Sequence, residues 1–247
     1  MEKRKNSLIK TILIVIPLII ITLFLTLSFS INWIIETGVE SFGTRMTGTD
    51  VQLNRSDVSL LSGKGGLSGV SIGNPEGFAT EYALKLNEIK LAIDLSTLFS
   101  HKIIIEEIVI NGPEITYEIK GTDSNIKSIL KNIKSAGRES GKISDHKAEK
   151  DLNNDEKRVQ INSLVIKNGR IHLSMSVLKG EKISLPLPDI HLKNIGKEKD
   201  GTPASEIFEE IYTSVYNEID REVSQSTKGV MSGAKKALET LKGFFIK

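Results

Sequence analysis

An uncharged, apolar run near the N-terminus, residues 11–35, constrains this chain more than any other feature. A helix of about 20 apolar residues is long enough to cross the hydrocarbon core of a bilayer, and a proline such as Pro17 is tolerated inside it. Trp33 lies near the far end of the run, where the boundary between lipid and water favours an aromatic ring. The pattern predicts a cytoplasmic tail and transmembrane anchor over residues 1–35.

The charges around this run predict its orientation. Four basic residues precede the run: Lys3, Arg4, Lys5 and Lys10. The next charged residue is Glu36, so the N-terminus is expected in the cytoplasm and the rest of the chain across the membrane. A cleaved signal peptide is the alternative, because Ser28-Phe29-Ser30 offers small residues for cleavage. The apolar run exceeds the roughly 7–15 residues of a usual signal peptide, which favours an uncleaved anchor.

Composition excludes several classes of function. The 247 residues include no cysteine, which rules out disulfides, zinc ribbons and thiol catalysis. The formal charge of the whole chain is +2 and that of residues 1–35 is +3, so residues 36–247 carry −1. Because residues 36–247 have almost no net charge, binding to nucleic acid driven by overall positive charge is excluded.

Alternation of apolar and polar residues with a period of two predicts β-strands between residues 51 and 95. The alternation slips by one residue between Leu53 and Val58 and again at Asn87-Glu88, which predicts bulges or sharp bends at these places. The stretch Gly63-Lys64-Gly65-Gly66 lacks the spacing of a phosphate-binding loop and is interpreted as a hairpin turn.

An internal repeat follows, and its two copies are separated by a constant offset. Residues 103–110 lead through Asn111-Gly112-Pro113 into residues 115–117, and residues 159–166 lead through Lys167-Asn168-Gly169 into residues 171–173. Each copy is predicted to be a strand, a tight turn that contains glycine, and a second strand. The fixed offset indicates one supersecondary unit used twice.

The segments around the repeat have different characters. A helix is predicted over residues 124–136 with Ser124 as its cap, and the charged stretch 137–157 is interpreted as a mobile loop or linker. A last strand over residues 183–192 contains Pro186 and Pro188, which cannot donate to a ladder, so it is expected at a sheet edge.

A long amphipathic helix is predicted from about Pro203 to the C-terminus. Its apolar stripe recurs at steps of three, four or seven: Phe208, Ile211, Val215, Ile219, Val223, Val230, Ala234, Leu238, Leu241 and Phe245. Gly229 and Gly233 mark a place where the helix is expected to be weakest.

Several of these stretches resemble the AsmA-like family over roughly residues 8–135. They are the N-terminal anchor, Thr47-Gly48-Thr49-Asp50-Val51, residues 63–70, Gly73-Asn74-Pro75-Glu76-Gly77-Phe78, Asn111-Gly112-Pro113-Glu114 and Asn125. The resemblance implies a single-pass protein of the bacterial inner membrane whose taco-shaped β-sheet lies in the periplasm. It also implies transport of phospholipid toward the outer membrane, as in the large relatives that are similar to bridge-like lipid transfer proteins.

The predicted fold class is therefore α+β. An N-terminal transmembrane helix is followed by a curved, mostly antiparallel β-sheet with a taco-like groove and by a long C-terminal amphipathic helix. The predicted organisation is an anchor (1–35), an AsmA-like β-groove domain (36–136), a polar linker (137–157), a continuation of the sheet (158–196) and the C-terminal helix (203–247).

One face of this sheet is expected to be strongly apolar, and such a patch is rarely left uncovered. Ten side chains are candidates for lining a lipid groove: Leu84, Leu86, Leu91, Ile93, Ile108, Ile110, Ile115, Tyr117, Ile171 and Leu173. Two interpretations stay open. Phospholipid acyl chains occupy the groove, or the C-terminal helix packs on it as ordinary core.

Two functional hypotheses follow from these interpretations. The first is an inner-membrane protein that handles phospholipid or maintains the envelope, with the membrane and other envelope proteins as partners. The second is a structural or adaptor module with a closed core that binds another envelope protein. Catalysis ranks last, because no acid, base and nucleophile combine in a recognisable motif, and no cofactor is expected. His172, His191 and Asp189 could contribute to a metal site, but no third ligand follows at the usual spacing.

Overall fold

The computed structural model describes residues 2–147, 157–175, 183–198 and 200–245. These residues form three α-helices, a short 3-10 turn at Leu95–Thr97 and eleven strands. The helices are α1 (Glu2–Thr47), α2 (Asn125–Lys147) and α3 (Ala204–Phe245). The strands are β1 (Val51–Val58), β2 (Lys64–Gly73), β3 (Tyr82–Ile93), β4 (Lys102–Asn111), β5 (Glu114–Lys120), β6 (Asp123–Ser124), β7 (Arg158–Lys167), β8 (Gly169–Met175), β9 (Ile183–Leu187), β10 (Ile190–Ile195) and β11 (Thr202–Pro203).

Helix α1 contains both the apolar run and the residues that follow it, with Pro17 inside the helix. Residues 36–47, which follow the apolar run, are therefore the last part of one long helix. In the described part of the chain, no helix combines the length and the apolar character that a membrane span requires.

All eleven strands belong to one open, mixed sheet. β1, β2 and β3 form an antiparallel meander, and β3 then pairs with both β4 and β5 on its other side. The pairs β4–β7 and β5–β8 are parallel, whereas β9 and β10 return antiparallel along β8 and β7. The α+β class is confirmed, and the sheet contains two parallel pairs because α2 connects the two copies of the repeat as a crossover.

The two copies of the repeat lie side by side in register, but neither copy is a hairpin. Lys102 pairs with Arg158 and Glu114 with Arg170, so the offset of the repeat is also the offset of strand pairing. The expected turns are interruptions within continuous strands, because ladder hydrogen bonds cross them. The Gly112 N–H donates to the Lys167 carbonyl at 2.9 Å, and the Arg170 N–H to the Pro113 carbonyl at 2.9 Å.

A line of residues at which the in–out alternation of the side chains breaks, called the crease here, crosses the sheet. On each long strand one residue breaks the in–out alternation: Asn54, Gly69, Asn87, Gly112, Asn168 and Pro188. Gly112 and Asn168 have φ values of 64° and 57°, a left-handed conformation that glycine and asparagine adopt most readily. The pairing keeps one register across the crease, so the slips seen at Leu53–Val58 and Asn87-Glu88 are changes of face within continuous strands rather than bulges. The register shifts lie at Ile72/Gly73 and Ala92/Ile93.

The three helices cover one face of the sheet. The main core cluster joins the end of α1, α2 and the first part of α3 to strands β5, β7 and β8. A second, smaller cluster joins Leu53, Leu67 and Val70 to the half-buried Ile35 and Val39 of α1. The face of the sheet that packs against the helices is thus its apolar face.

Some predicted boundaries are confirmed and others need correction. Ser124 caps α2, since its Oγ accepts a hydrogen bond from Lys127 N–H at 3.2 Å. The strand with Pro186 and Pro188 lies at a sheet edge as β9 and β10, and α3 begins directly after Pro203.

Helix α2 ends at Lys147 rather than at Ala136, so its last part enters the stretch interpreted as a linker. Arginine, glutamate and lysine in that stretch are good helix formers, and a helix end does not need an apolar face. Residues 148–156 of that stretch lie outside the described residues. The backbone of α3 passes Gly229 and Gly233 without interruption.

The turn between β1 and β2 lies at residues 59–63, because Lys64, Gly65 and Gly66 already belong to β2. Gly63 closes the turn with a φ of 68°, and a side chain there would meet the Ile93 carbonyl at 2.3 Å. The four-residue stretch 63–66 is therefore not the turn itself.

Candidate functional site

The edge strand β1 is held by a row of α1 side chains, called the edge ladder here. The four acceptors are spaced four residues apart and therefore lie on one face of the helix. Thr44 accepts from Val51 N–H at 3.1 Å, Glu40 from Leu53 N–H at 3.0 Å, Glu36 from Ser56 N–H at 2.9 Å and Asn32 from Val58 N–H at 3.2 Å. These contacts satisfy N–H groups that an edge strand would otherwise expose.

The edge ladder gives the sheet two distinct ends. β1 runs back along α1, so its last residue, Val58, lies beside Asn32 and near Trp33. The end at this level, called the proximal end, includes loops 59–63 and 94–101 and the loop residues 196–198 and 200–201. The opposite, distal end includes loops 74–81 and 121–122.

A buried asparagine holds the distal end together. Asn125, which has no exposed surface, donates to Asn74 Oδ1 and to the Thr116 carbonyl, both at 2.7 Å. Its Oδ1 accepts from Glu118 N–H at 2.9 Å and from Ile126 N–H at 2.8 Å. The Asn-Pro turn and Asn125, two features of the family resemblance, therefore have a structural role at this end.

Glu118 fixes the same loop from the other side. Its carboxylate accepts hydrogen bonds from the backbone N–H groups of Ala79 and Thr80 and from the Thr80 hydroxyl, at 2.7–3.0 Å. Desolvation opposes the charged form, but these hydrogen bonds outweigh it and lower the pKa of Glu118 below its usual value. The distal loop is thus tied down by a charged group.

Four of the ten groove candidates are buried in the distal half of the sheet. They are Ile115, Tyr117, Ile171 and Leu173, with exposed fractions of 0–6%. Ile115 pairs with Ile171 and Tyr117 with Leu173 across the parallel strands β5 and β8. All four belong to the core cluster that includes α2 and α3, so in this structure protein side chains cover them.

The other six candidates are half-buried: Leu84, Leu86, Leu91, Ile93, Ile108 and Ile110. Neighbouring strands pair Ile93 with Ile105, Leu91 with Ile108 and Ile89 with Ile110. Facing residues on adjacent strands point to the same side, so these three pairs form a continuous apolar path, called the track here. The track begins at the proximal end and leads toward the crease.

Beyond the track, a cavity of about 130 Å³ lies between the sheet and α3. The sheet contributes Ile72, Leu84, Leu86, Ile110, Ile115 and Ile166, and α3 contributes Phe208, Ile211, Tyr212, Val215 and Ile219. The lining is almost wholly apolar, and a cavity of this size and character accommodates a group such as a benzene ring. Four of the ten candidates, Leu84, Leu86, Ile110 and Ile115, line it.

Helix α3 is attached to the rest of the molecule by aromatic residues. The Tyr212 hydroxyl donates to the Ile126 carbonyl of α2 at 3.3 Å, and complete burial raises the pKa of Tyr212. The Phe208 ring meets the Phe42 ring of α1 edge to face, with centroids 5.8 Å apart. These contacts place α3 over the cavity, whereas the track beside it stays half-buried.

No group of three metal-binding side chains occurs among the residues that the structure describes. The Nδ1 atom of His172 lies 2.8 Å from the Ser184 hydroxyl, and His191 and Asp189 are exposed at the sheet edge. The side chain of His146 lies outside the described part of the chain.

Ten of the fourteen residues that line the cavity were not among the sequence candidates, and Ile72, Ile166 and Tyr212 are three of them. Ile166 could have been found, because it occupies the place of candidate Ile110 in the second copy of the repeat and pairs with it directly. Ile72 continues the alternation of Val70 along β2. Tyr212 gave no comparable signal, since its place beside the stripe of α3 depends on how that helix packs.

Comparison with known proteins assigns the chain to a family. No curated protein matches it. The family model described as AsmA family matches residues 1–195, from α1 to the last residue of β10. The match covers well over half of the chain and includes every strand that lines the track and the cavity. The chain therefore belongs to the AsmA family.

Proposed function

We propose that this protein is anchored in the bacterial inner membrane by α1 and handles phospholipid in the periplasm, with acyl chains on the apolar face of its sheet that packs against the helices. Family membership supports a role in the cell envelope in general, and the AsmA family is not known as an enzyme family. The track and the adjoining cavity are the observation that carries the finer proposal.

The proposed anchor is supported by the exposure of apolar side chains on α1. Eight large apolar residues between Leu13 and Ile21 are 42–69% exposed, and no other part of the described chain covers them. Side chains of this kind are stable in hydrocarbon and unfavourable in water. The basic residues before the run favour a cytoplasmic N-terminus, which leaves the sheet on the periplasmic side.

The proposed lipid site is supported by the continuity of the apolar surface that joins the track to the cavity. The track offers an unbroken apolar surface from the proximal end to the cavity, and it is only half-buried. The cavity alone is too small for a whole acyl chain, so part of the chain would lie along the track. Six adjacent strand positions are separated by five spacings of ~4.8 Å, so the sheet is about 24 Å wide. This width suits local handling of lipid or assembly with partners rather than a bridge across the envelope.

Two variants on one strand test the proposed site. Ile108→Asp places a carboxylate in the track, and Val109→Asp places one at the next residue, which is also half-buried but faces the opposite side. The full chain, purified in mild detergent, is analysed by native mass spectrometry and lipid extraction. We expect stoichiometric phospholipid on the wild type and on Val109→Asp, and loss of most of it on Ile108→Asp.

The adaptor with a closed core is the second candidate, and the buried distal half with α3 packed on it favours that function. A wild-type protein free of lipid, with α3 protected in hydrogen exchange, would contradict lipid handling and support the adaptor. Equal lipid retention by both variants would place the bound lipid elsewhere than in the track.

A further inference from the structure

The proximal end exposes two large apolar side chains. Leu61 is 77% exposed in the turn between β1 and β2, and Phe99 is 97% exposed in the loop between β3 and β4. Among the described residues, every other large apolar side chain that is strongly exposed belongs to α1. In the described part of the chain, exposure of this kind is therefore confined to α1 and the proximal end.

The loop that presents Phe99 is held in place by hydrogen bonds. Asp94 Oδ1 accepts from Ser96 N–H at 3.0 Å, and Thr97 Oγ1 accepts from Ile104 N–H at 3.0 Å. Lys157 Nζ donates to the Leu98 carbonyl at 2.7 Å, which ties the loop to the start of β7. Phe99 projects from a fixed turn, so its exposure is part of the fold.

The edge ladder sets the level of Leu61 relative to α1, and strand pairing places the loop of Phe99 at the same end of the sheet. Asn32 binds Val58 N–H, and the turn that contains Leu61 follows directly. Trp33 and Ile34, which are 68% and 53% exposed, lie at the same level of the helix. The long apolar stretch of α1 precedes this level.

We infer that the proximal end docks on the surface of the phospholipid bilayer that holds α1, with Leu61 and Phe99 inserted at the lipid–water boundary beside Trp33. The inference rests on the proposed anchoring of α1 and goes beyond it. Its occupant is the bilayer, because the exposed residues continue the apolar surface of α1 at one level and aromatic rings suit that boundary. Docking in this way also brings Ile93 and Ile105, where the track begins, next to the lipid.

Single-cysteine variants of the full chain test the inference, and the natural absence of cysteine makes the labelling specific. Leu61→Cys, Phe99→Cys, Ile20→Cys and, as a distal control, the exposed position Glu76→Cys receive an environment-sensitive dye. Each protein is reconstituted into vesicles of phosphatidylethanolamine and phosphatidylglycerol that carry spin-labelled lipids at shallow or deep positions. All four positions are exposed, so the labels do not disturb the core.

We expect shallow spin labels to quench the dyes at positions 61 and 99 several-fold more than the dye at 76, and deep spin labels to quench the dye at 20. Quenching at 20 together with positions 61 and 99 no more quenched than 76 would overturn the docking and leave the anchor intact. Absence of quenching at 20, 61 and 99 would overturn both the anchor and the docking.

Discussion

The two ends of the sheet are built from the same strands but differ in how far their apolar face is buried. At the distal end, Asn125 and Glu118 tie the loops together, and Ile115 and Tyr117 of the apolar face are buried in the core that includes α2 and α3. At the proximal end the apolar face stays half-buried along the track, and Leu61 and Phe99 point outward. This contrast indicates that the features shared with the family serve partly to close one end, which leaves the end beside α1 as the opening.

The strongest effect should come from the contrast in burial between the two ends. Ile115→Asp places a charge at a position that is 1% exposed and should cost roughly 4–5 kcal/mol or more of the free energy of unfolding. Leu91→Asp places the same charge in the half-buried track, where water reaches it, and should leave the protein folded. Denaturant titration monitored by circular dichroism measures both variants. Equal destabilisation would show that the track is as closed as the distal core.

A second variant tests the polar network of the distal end. Asn125→Ala leaves the N–H groups of Glu118 and Ile126 and the Thr116 carbonyl without their buried partner, so we expect a loss of about 3 kcal/mol. Asn87→Ala is the control, since its exposed side chain makes one long contact of 3.5 Å to the Gly112 carbonyl. A loss below about 1 kcal/mol for Asn125→Ala would contradict the role of this network.

The edge ladder gives a third test, at the border between the sheet and α1. Glu36→Ala combined with Glu40→Ala removes the acceptors for Ser56 and Leu53 N–H and should cost about 2 kcal/mol for each carboxylate. Hydrogen exchange at those two amides should become faster. The pair Glu36→Gln and Glu40→Gln keeps a carbonyl oxygen at each position and should retain most of the protection. Unchanged exchange in the alanine pair would mean that other groups hold this edge.

The weakest of these effects should be a pH dependence at the distal end. Because the pKa of Glu118 is lowered in the folded protein, its contribution is fully present above the pKa of the unfolded chain and is lost as the pH falls through the folded value. Stability should therefore decline below about pH 4.5, and more steeply in the wild type than in Glu118→Gln. The measurement is the free energy of unfolding of both proteins from about pH 6 to about pH 3. Identical slopes would assign the acid sensitivity to other carboxylates.

Much of the sheet could be predicted from the sequence, because breaks in the alternation of apolar residues and internal repeats are visible in the sequence itself. Each slip in alternation, as at Asn87, corresponds to a residue of the crease. The constant offset predicted a repeated unit but not its pairing. Asn-Gly and Gly-Pro steps are typical of hairpin turns, and only the neighbouring strand shows that Gly112 and Asn168 are bends within continuous strands.

The candidate site was harder to predict than the sheet, because the burial of its residues depends on tertiary packing. All ten candidates lie on the paired strands, but periodicity could not tell which half of the sheet α3 would cover. Ile115 and Leu91 look alike in the sequence and differ only because α2 and α3 pack over the first. The edge ladder could not be predicted from the sequence either, because Glu36 and Glu40 accept hydrogen bonds from β1 only once that strand lies beside α1.

The edge ladder also has a mechanical consequence. Its four contacts extend over three turns of α1, from Asn32 to Thr44, so they fix direction as well as position. Between Leu18 and Thr47 no proline interrupts the helix. The part of α1 from Asn32 to Thr47 and the sheet therefore move as one rigid body. When the helix tilts by a small angle, the distal end of the sheet is displaced by a distance that grows with its separation from the point of rotation.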